Sequence, residues 1–240
     1  MIGDVIQSLW IGDRLSAMEQ LCIKSFLYHG HPFHLYVYGG VEGIPNGTTV
    51  CDANAILPVS RISKCQGCDC EGKQSYCSFA DLFRYKLLKD KGSWWADTDF
   101  VCMKPFNFSA PYVLFGDHSG VSPSLIKVPA ANDPFISWVY VQAERVFRAD
   151  VPWGVTGLLV AAGVRKFSLS QYVLPLSLFL PVNNETIVAS SLDDATKKLC
   201  EEAYTVHCFN ELWRVTGANK DGEYSPTCLY EQLLHKYGVR

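Results

Sequence analysis

Apolar positions recur along this chain in two rhythms, and the two alternate. Residues 5–11 form a mostly apolar run that stops at Gly12, as a buried strand would. Ser16-Ala17-Met18-Glu19 follows with capping-box spacing, in which a Ser hydroxyl and a Glu carboxylate satisfy free N–H groups of a helix start. Leu15, Met18, Cys22, Phe26 and Leu27 then lie at helical spacing, with Gly30 as a suitable stop. Residues 33–38 read as the next strand, closed by Gly39-Gly40. After a polar stretch, Ser78-Phe79-Ala80-Asp81 is expected to open a second helix whose apolar face is Phe79, Leu82, Phe83 and Leu87, with Gly92 at its end. Residues 94–103 read as one strand before Pro105. The apolar stretches 112–115, 158–164 and 172–180 are assigned to the core, and further helices to 193–203 and 228–237. Strand and helix patterns in alternation predict an α/β fold.

Composition narrows the class without naming a substrate. A chain of 240 residues, 48% of them hydrophobic, is long enough for one large domain or two small ones with a real core. With 19% charged residues and a net charge of −3 it is not a disordered polymer. A pI near 6.1 argues against a nucleic-acid binder, which would carry a basic face. The longest uncharged run, 167–184, is interrupted by Pro175 and Pro181, so no transmembrane segment is expected. Met1-Ile2-Gly3-Asp4 lacks the basic start of a signal peptide. The chain therefore reads as cytoplasmic, with peripheral attachment to a membrane left open.

Ten cysteines complicate that picture, because Cys65, Cys68, Cys70 and Cys77 crowd together in the 60–77 stretch. They could hold Zn²⁺, although the spacing is not a common one for structural zinc. Plain thiols or a disulfide are the alternatives. The sequons at Asn46, Asn107 and Asn184 would matter only in a secretory lumen. His29, His31 and His34 surround a helix-to-strand turn and are expected at the surface.

The candidate chemistry concentrates in SFADLFRYKLLKDKGSWWADTDFVCMKPF, residues 78–106. Asp97 and Asp99, two apart at the end of an apolar strand, could point the same way. Two carboxylates so placed repel each other and lose hydration, which raises at least one pKa unless a cation intervenes. Few hard oxygen ligands suit Mg²⁺ or Mn²⁺, completed by phosphate oxygens and water. Asp69-Cys70-Glu71 and Asp221-Gly222-Glu223 repeat the spacing in polar loops, where solvated carboxylates need no further role. Asp81 and Arg84 share a helix face. Either they form an intrahelical ion pair, or Asp81 meets ribose hydroxyls while Arg84 grips a diphosphate or sugar with its planar fork.

This stretch resembles the sugar-binding DXD region of the GT32-type glycosyltransferases, enzymes of GT-A fold, whose usual pattern is S-D-x-x-R-[YF]-x-x-L-x-x-x-G-G-x-[YW]-x-D-x-D-x-x-x-x-[KR]-P. Ala80 replaces the usual Ser and Ser93 the second Gly, both small changes. The segment from Ile6 to Gly12 is similar to the family's first strand, and the segment from Tyr204 to Trp213 to its late H-x-x-x-x-x-W element. The resemblance implies a GT-A, Rossmann-like fold with a mixed, mainly parallel central sheet. It implies one domain over 1–240, with a nucleotide-sugar and metal-binding half at 1–106, an acceptor-side half at 107–240 and a cysteine-rich insertion at 60–77. It further implies metal-dependent transfer of a hexose from a UDP-sugar, with retention, to a glycan, lipid-linked or protein acceptor, as in polysaccharide biosynthesis. Asp97, Asp99 and Arg84 would be catalytic. Trp10, Ile11, Asp81, Arg84, Thr98 and Trp213 would hold the nucleotide sugar, and Asp97, Asp99 and His207 the Mn²⁺ or Mg²⁺.

Alternatives stay open for several of these. Trp10 is either a flat face for the base or a core residue at a strand end, and Trp213 either a lid or an anchor for the C-terminal segment. His207 is a metal ligand, a hydrogen-bond donor or a core histidine. Gly154-Val155-Thr156-Gly157 could face the acceptor or serve as an ordinary turn. For the whole chain, the competing readings are an inactive nucleotide-sugar-binding domain and a zinc-clustered interaction module.

Overall fold

The computed structural model describes residues 4–66, 74–118, 120–147, 155 and 157–240. In chain order, strand β1 (Ile6–Trp10) leads into helix α1 (Ala17–Tyr28) and strands β2 (Phe33–Val37) and β3 (Thr48–Asp52). A short hairpin, β4 (Cys65–Gln66) with β5 (Gln74–Ser75), precedes helix α2 (Cys77–Lys91). Strands β6 (Ser93–Ala96), β7 (Phe100–Cys102), β8 (Leu114–Asp117), β9 (Gly120–Val121) and β10 (Leu125–Val128) follow, then helices α3 (Pro134–Val146) and α4 (Leu158–Lys166). The last third holds β11 (Val173–Pro175), helices α5 (Asn184–Ile187) and α6 (Asp194–Glu202), β12 (Thr205–His207), and helices α7 (Asn210–Thr216) and α8 (Leu229–Lys236).

The central sheet runs β10-β6-β1-β2-β3. Its first three pairings outward from β1 are parallel, and β10 joins β6 antiparallel. This is an α/β fold with a mixed, mainly parallel sheet, as expected. One face packs Leu9, Tyr36 and Trp95 against Phe79, Phe83 and Leu87 of α2, with α3 beyond it. The other packs Ile6, Leu35 and Trp94 against Ile23 and Phe26 of α1. Every one of these side chains is buried, and at about 25 cal/mol per Å² their apolar area is the main force holding helices to sheet.

Local signals explain where α1 begins. Both the backbone N–H and the hydroxyl of Ser16 donate to Glu19, the N–H at 2.7 Å. Gly30 has φ +82°, a conformation that costs a glycine little. Helix α2 departs from expectation at its start: Cys77 opens it, so Ser78 lies in the first turn, buried, with its Oγ unpartnered. The expected strand 94–103 is broken between Ala96 and Phe100, and its second part leaves the central sheet to pair with β12. Helix α3 was not expected. Its start is legible in hindsight, since Asp133 accepts from the N–H groups of Phe135 and Ile136 and Pro134 occupies the first turn. Of the stretches assigned to the core, Leu114, Phe115, Val160 and Phe179 are buried, whereas Leu158 is 68% exposed. No helix among the described residues is long and apolar enough to cross a membrane.

Cys68 and Cys70 lie outside the described residues, as do Asp69-Cys70-Glu71, Gly154 and Thr156; Gly157 precedes α4. Cys77 shares a hydrogen bond of 2.8 Å with the Ser75 hydroxyl. The histidine turn needs a correction. His31 is only 2% exposed, and its Nε2 accepts the Phe106 N–H at 2.9 Å. Nδ1 must then carry the hydrogen and donate to the Asp4 carbonyl at 3.2 Å, so the ring is neutral in the fold. Burial pushes its pKa down, against a smaller upward pull from Asp4. The unfolded chain therefore takes up this proton first. Stability from His31 is present above about pH 6.5 and declines as pH falls below that value. Urea unfolding across this range should show that decline, and His31→Gln should flatten it, by one proton of slope at most.

Candidate functional site

Strands β1 and β6 lie side by side and parallel, yet the chain leaves them in opposite directions. From β1 it passes through α1 to β2, and from β6 through a turn toward β7 and β10. Such a divergence opens a crevice at the carboxyl ends of the two strands, where open α/β sheets hold ligands. Trp10 ends β1 there, and Asp97-Thr98-Asp99 follows β6.

The two aspartates do not sit on one strand face, as their spacing alone suggested. They flank a turn in which the Phe100 N–H reaches the Asp97 carbonyl at 3.2 Å, and each faces a different part of the chain. Asp97 Oδ1 accepts from Arg84 Nη2 at 2.8 Å and from Trp95 Nε1 at 2.7 Å. Arg84 is 3% exposed and lies 5.2 Å from the Trp95 ring centre. Its Nη1 stands 2.9 Å from Asp81 Oδ1, an ion pair that lies off the hydrogen-bond line. Both readings of the Asp81–Arg84 spacing are thereby refined: the ion pair exists, and it extends to Asp97. The guanidinium is charge-matched by Asp81 and Asp97, while its Nε and Nη1 make no hydrogen bond among the described residues.

Asp99 is held by the end of the chain. Strand β12 pairs antiparallel with β7 and sets His207 opposite Phe100, with ring centres 4.4 Å apart. His207 Nε2 lies 3.1 Å from Asp99 Oδ2, and the Asn210 N–H donates to the same oxygen at 2.9 Å. The Cys208 N–H reaches the Asp99 carbonyl at 2.7 Å. Among the described residues, Oδ1 of Asp99 is buried without a hydrogen-bond partner, and so is His207 Nδ1.

The two carboxylates are driven apart in acidity. Burial raises Asp97 to about 6, with Arg84 pulling down and Asp99 pushing up. Burial raises Asp99 too, but His207 and the Asn210 N–H outweigh it and hold Asp99 below the usual carboxylate range. Asp99 is thus the permanently ionised member. Asp81 and Asp97 share the one guanidinium of Arg84, so that side of the corner carries one carboxylate more than it has cation. Among the described residues, no three His, Cys, Asp or Glu side chains are gathered as a ready metal cage. What is present is a hard, ionised oxygen that no described residue satisfies, a donor of the kind a divalent cation takes.

Other expected residues are distributed around this corner. Thr98 is 8% exposed within the turn, and Ile11 packs against the core beneath β1. Trp10 is half-buried, with its indole N–H unpartnered. Trp213 is 2% exposed and packs in a second cluster with Tyr224 and Tyr230, at ring distances of 5.5 and 5.0 Å. It also lines a cavity of about 310 Å³ with Asn184, Val188 and Tyr224. Asp221 is not the idle carboxylate that its loop suggested, because its Oδ1 accepts the Ala17 N–H at the start of α1, 2.8 Å away. Sequence reasoning missed Trp95 and Asn210 as partners of the aspartates; both lie inside the segments singled out, as landmarks without roles.

No protein-family model and no curated protein matches the chain. Among solved structures, a chain described as PaToxG glycosyltransferase aligns with a TM-score of 0.49 at 15% identity, over 84% of this chain and 85% of its own. A transferase bearing two cysteine-to-serine substitutions aligns at 0.47 and 11% identity, over 76% and 87%. Likenesses this remote carry no functional argument, and the site is interpreted from its own residues.

Arg84 is the test of that interpretation. Arg84→Met should remove the cation that Asp81 and Asp97 share and lower the unfolding free energy by about 3 kcal/mol, the low end for a broken buried pair because Asp97 is part-exposed. Arg84→Lys should recover only part, since an ammonium cannot fork between two carboxylates. Urea titration of the three proteins measures both.

Proposed function

We propose that this chain is a metal-dependent glycosyltransferase that moves a hexose from a nucleotide sugar, a UDP-sugar in the first instance, to a glycan, lipid-linked or protein acceptor. One observation carries the reading: an ionised, buried aspartate with an unsatisfied oxygen, Asp99, stands at the carboxyl-end crevice between β1 and β6. The resemblance of residues 78–106 to the GT32-type DXD region supports it, and so does the β1–β6 divergence expected of a GT-A, Rossmann-like donor site.

In this reading Asp99 and Asp97 hold Mn²⁺ or Mg²⁺, with His207 beside them. The ion, when bound, offsets the charge that grows on the departing diphosphate. The chain's own residues prepare that corner. His207 and the Asn210 N–H keep Asp99 ionised and fix which oxygen stays free. Arg84 and Trp95 take one oxygen of Asp97, Oδ1, which leaves the ion the other. Arg84 then acts through Asp97 and Asp81 and not on the phosphates, because its charge is already matched. Trp10 offers an apolar face to the base, and Asp81 and Thr98 are the candidates for ribose or sugar hydroxyls. Retention of configuration is carried by the resemblance alone.

Calorimetry with UDP tests the proposal. Binding should require Mn²⁺, and Asp99→Asn should weaken it by more than about tenfold while thermal unfolding stays cooperative. Equal affinity with and without the ion, or an unaffected Asp99→Asn protein, would sink the reading.

A further inference from the structure

The loop between α7 and α8 carries Lys220, a residue that no motif in the chain announces. Its ammonium reaches the carboxylate of Glu19 in α1, donates to Asn210 Oδ1 at 2.9 Å, and stands 5.6 Å from the Trp10 ring centre. Each contact joins it to a different element. Glu19 is fully buried and binds Ser16 through its other oxygen, so it cannot follow a moving lysine. The Lys220 carbonyl accepts from Tyr230 Oη at 2.7 Å, and Asp221 next to it caps α1 through the Ala17 N–H. The loop is thus pinned at the lysine itself and at the residue after it. Asn210 in turn is held at two points, by Lys220 on its side-chain oxygen and by Asp99 on its N–H.

We infer that Lys220 is a positioning residue of the donor site, locking Asn210 onto Asp99 and setting the indole of Trp10 against the same corner. The inference rests on the proposed donor roles of Asp99 and Trp10. Its charge is consumed by Glu19, so it acts through its neighbours and not as a phosphate ligand. With the ammonium removed, Asn210 loses one of its two anchors, the hydrogen bond to Asp99 becomes mobile, and the cation over Trp10 disappears. Both halves of the crevice would loosen together, although they lie at opposite ends of the sequence.

Two measurements separate this inference from the donor reading. Amide exchange at Asn210, followed by NMR without ligand, should be at least about tenfold faster in Lys220→Met and near the parent rate in Lys220→Arg. The Kd for UDP with Mn²⁺ should rise about tenfold in Lys220→Met and return to within about threefold in Lys220→Arg. A parent-like exchange rate in Lys220→Met overturns the inference, whatever UDP does. A parent protein that ignores UDP sinks the donor reading and leaves the exchange result to judge the lysine. If Lys220→Met does not fold, Asn210→Ala keeps the Glu19 pair intact. Its residue-210 amide must then exchange faster than in the parent, and an unchanged rate overturns the inference.

Discussion

One aspartate fastens the end of this chain to its beginning. Asp99 takes two hydrogen bonds on Oδ2 and one on its carbonyl, all from residues 207–210, more than a hundred positions later. Hydrogen bonds to an ionised carboxylate contribute about 1.5–3 kcal/mol each, against which stands the entropy of closing a long loop. The closure does not rely on them alone. Strands β7 and β12 pair directly, and Phe100 stacks near His207 while Phe115 and Phe179 pack behind. Apolar packing supplies the energy, and the carboxylate supplies the register. Without Asp99 the β7–β12 ribbon could pair, but the helix that follows would be oriented only by Lys220 on Asn210 and by the packing of Trp213.

Arg84 solves the matching problem on the other side of the turn. Part-exposed Asp97, beside Asp99 and partly stripped of water, would take up a proton more readily without that cation. Packed on the Trp95 ring and reaching two acids at once, the guanidinium holds Asp97 outward at the cost of its own freedom. The two aspartates of one short turn therefore differ in acidity and in partners, and that asymmetry is what a cation-binding corner beside a phosphate needs.

Much of this could be read from the sequence because it is local. The capping box of α1, the stop at Gly30 and the apolar rhythm of α2 each depend on residues within one or two turns. The Asp97–Asp99 pair was found for the same reason, since aromatic neighbours and a preceding helix mark it in a single stretch. What escaped is non-local. Spacing suggested two carboxylates on one face, but the break after Ala96 arises because β7 finds β12, a partner a hundred residues away. His31 looked like part of a surface turn until Phe106 supplied the N–H that buries it. Asp221 looked solvated until the first turn of α1 was placed against it. Lys220 left no local trace at all, because its three contacts come from three separate elements.

Phe209 sits between the Cys208 and Asn210 N–H groups that grip Asp99, and its φ of +53° is left-handed, a cost of about 1–2 kcal/mol for a residue with a side chain. Asp99 holds both flanks of that residue, one through its carbonyl and the other through its carboxylate. A ligand that takes only the free oxygen of Asp99 would leave this left-handed turn as it is, whereas one that displaced the Asn210 N–H would release an anchor at the very point where α7 begins.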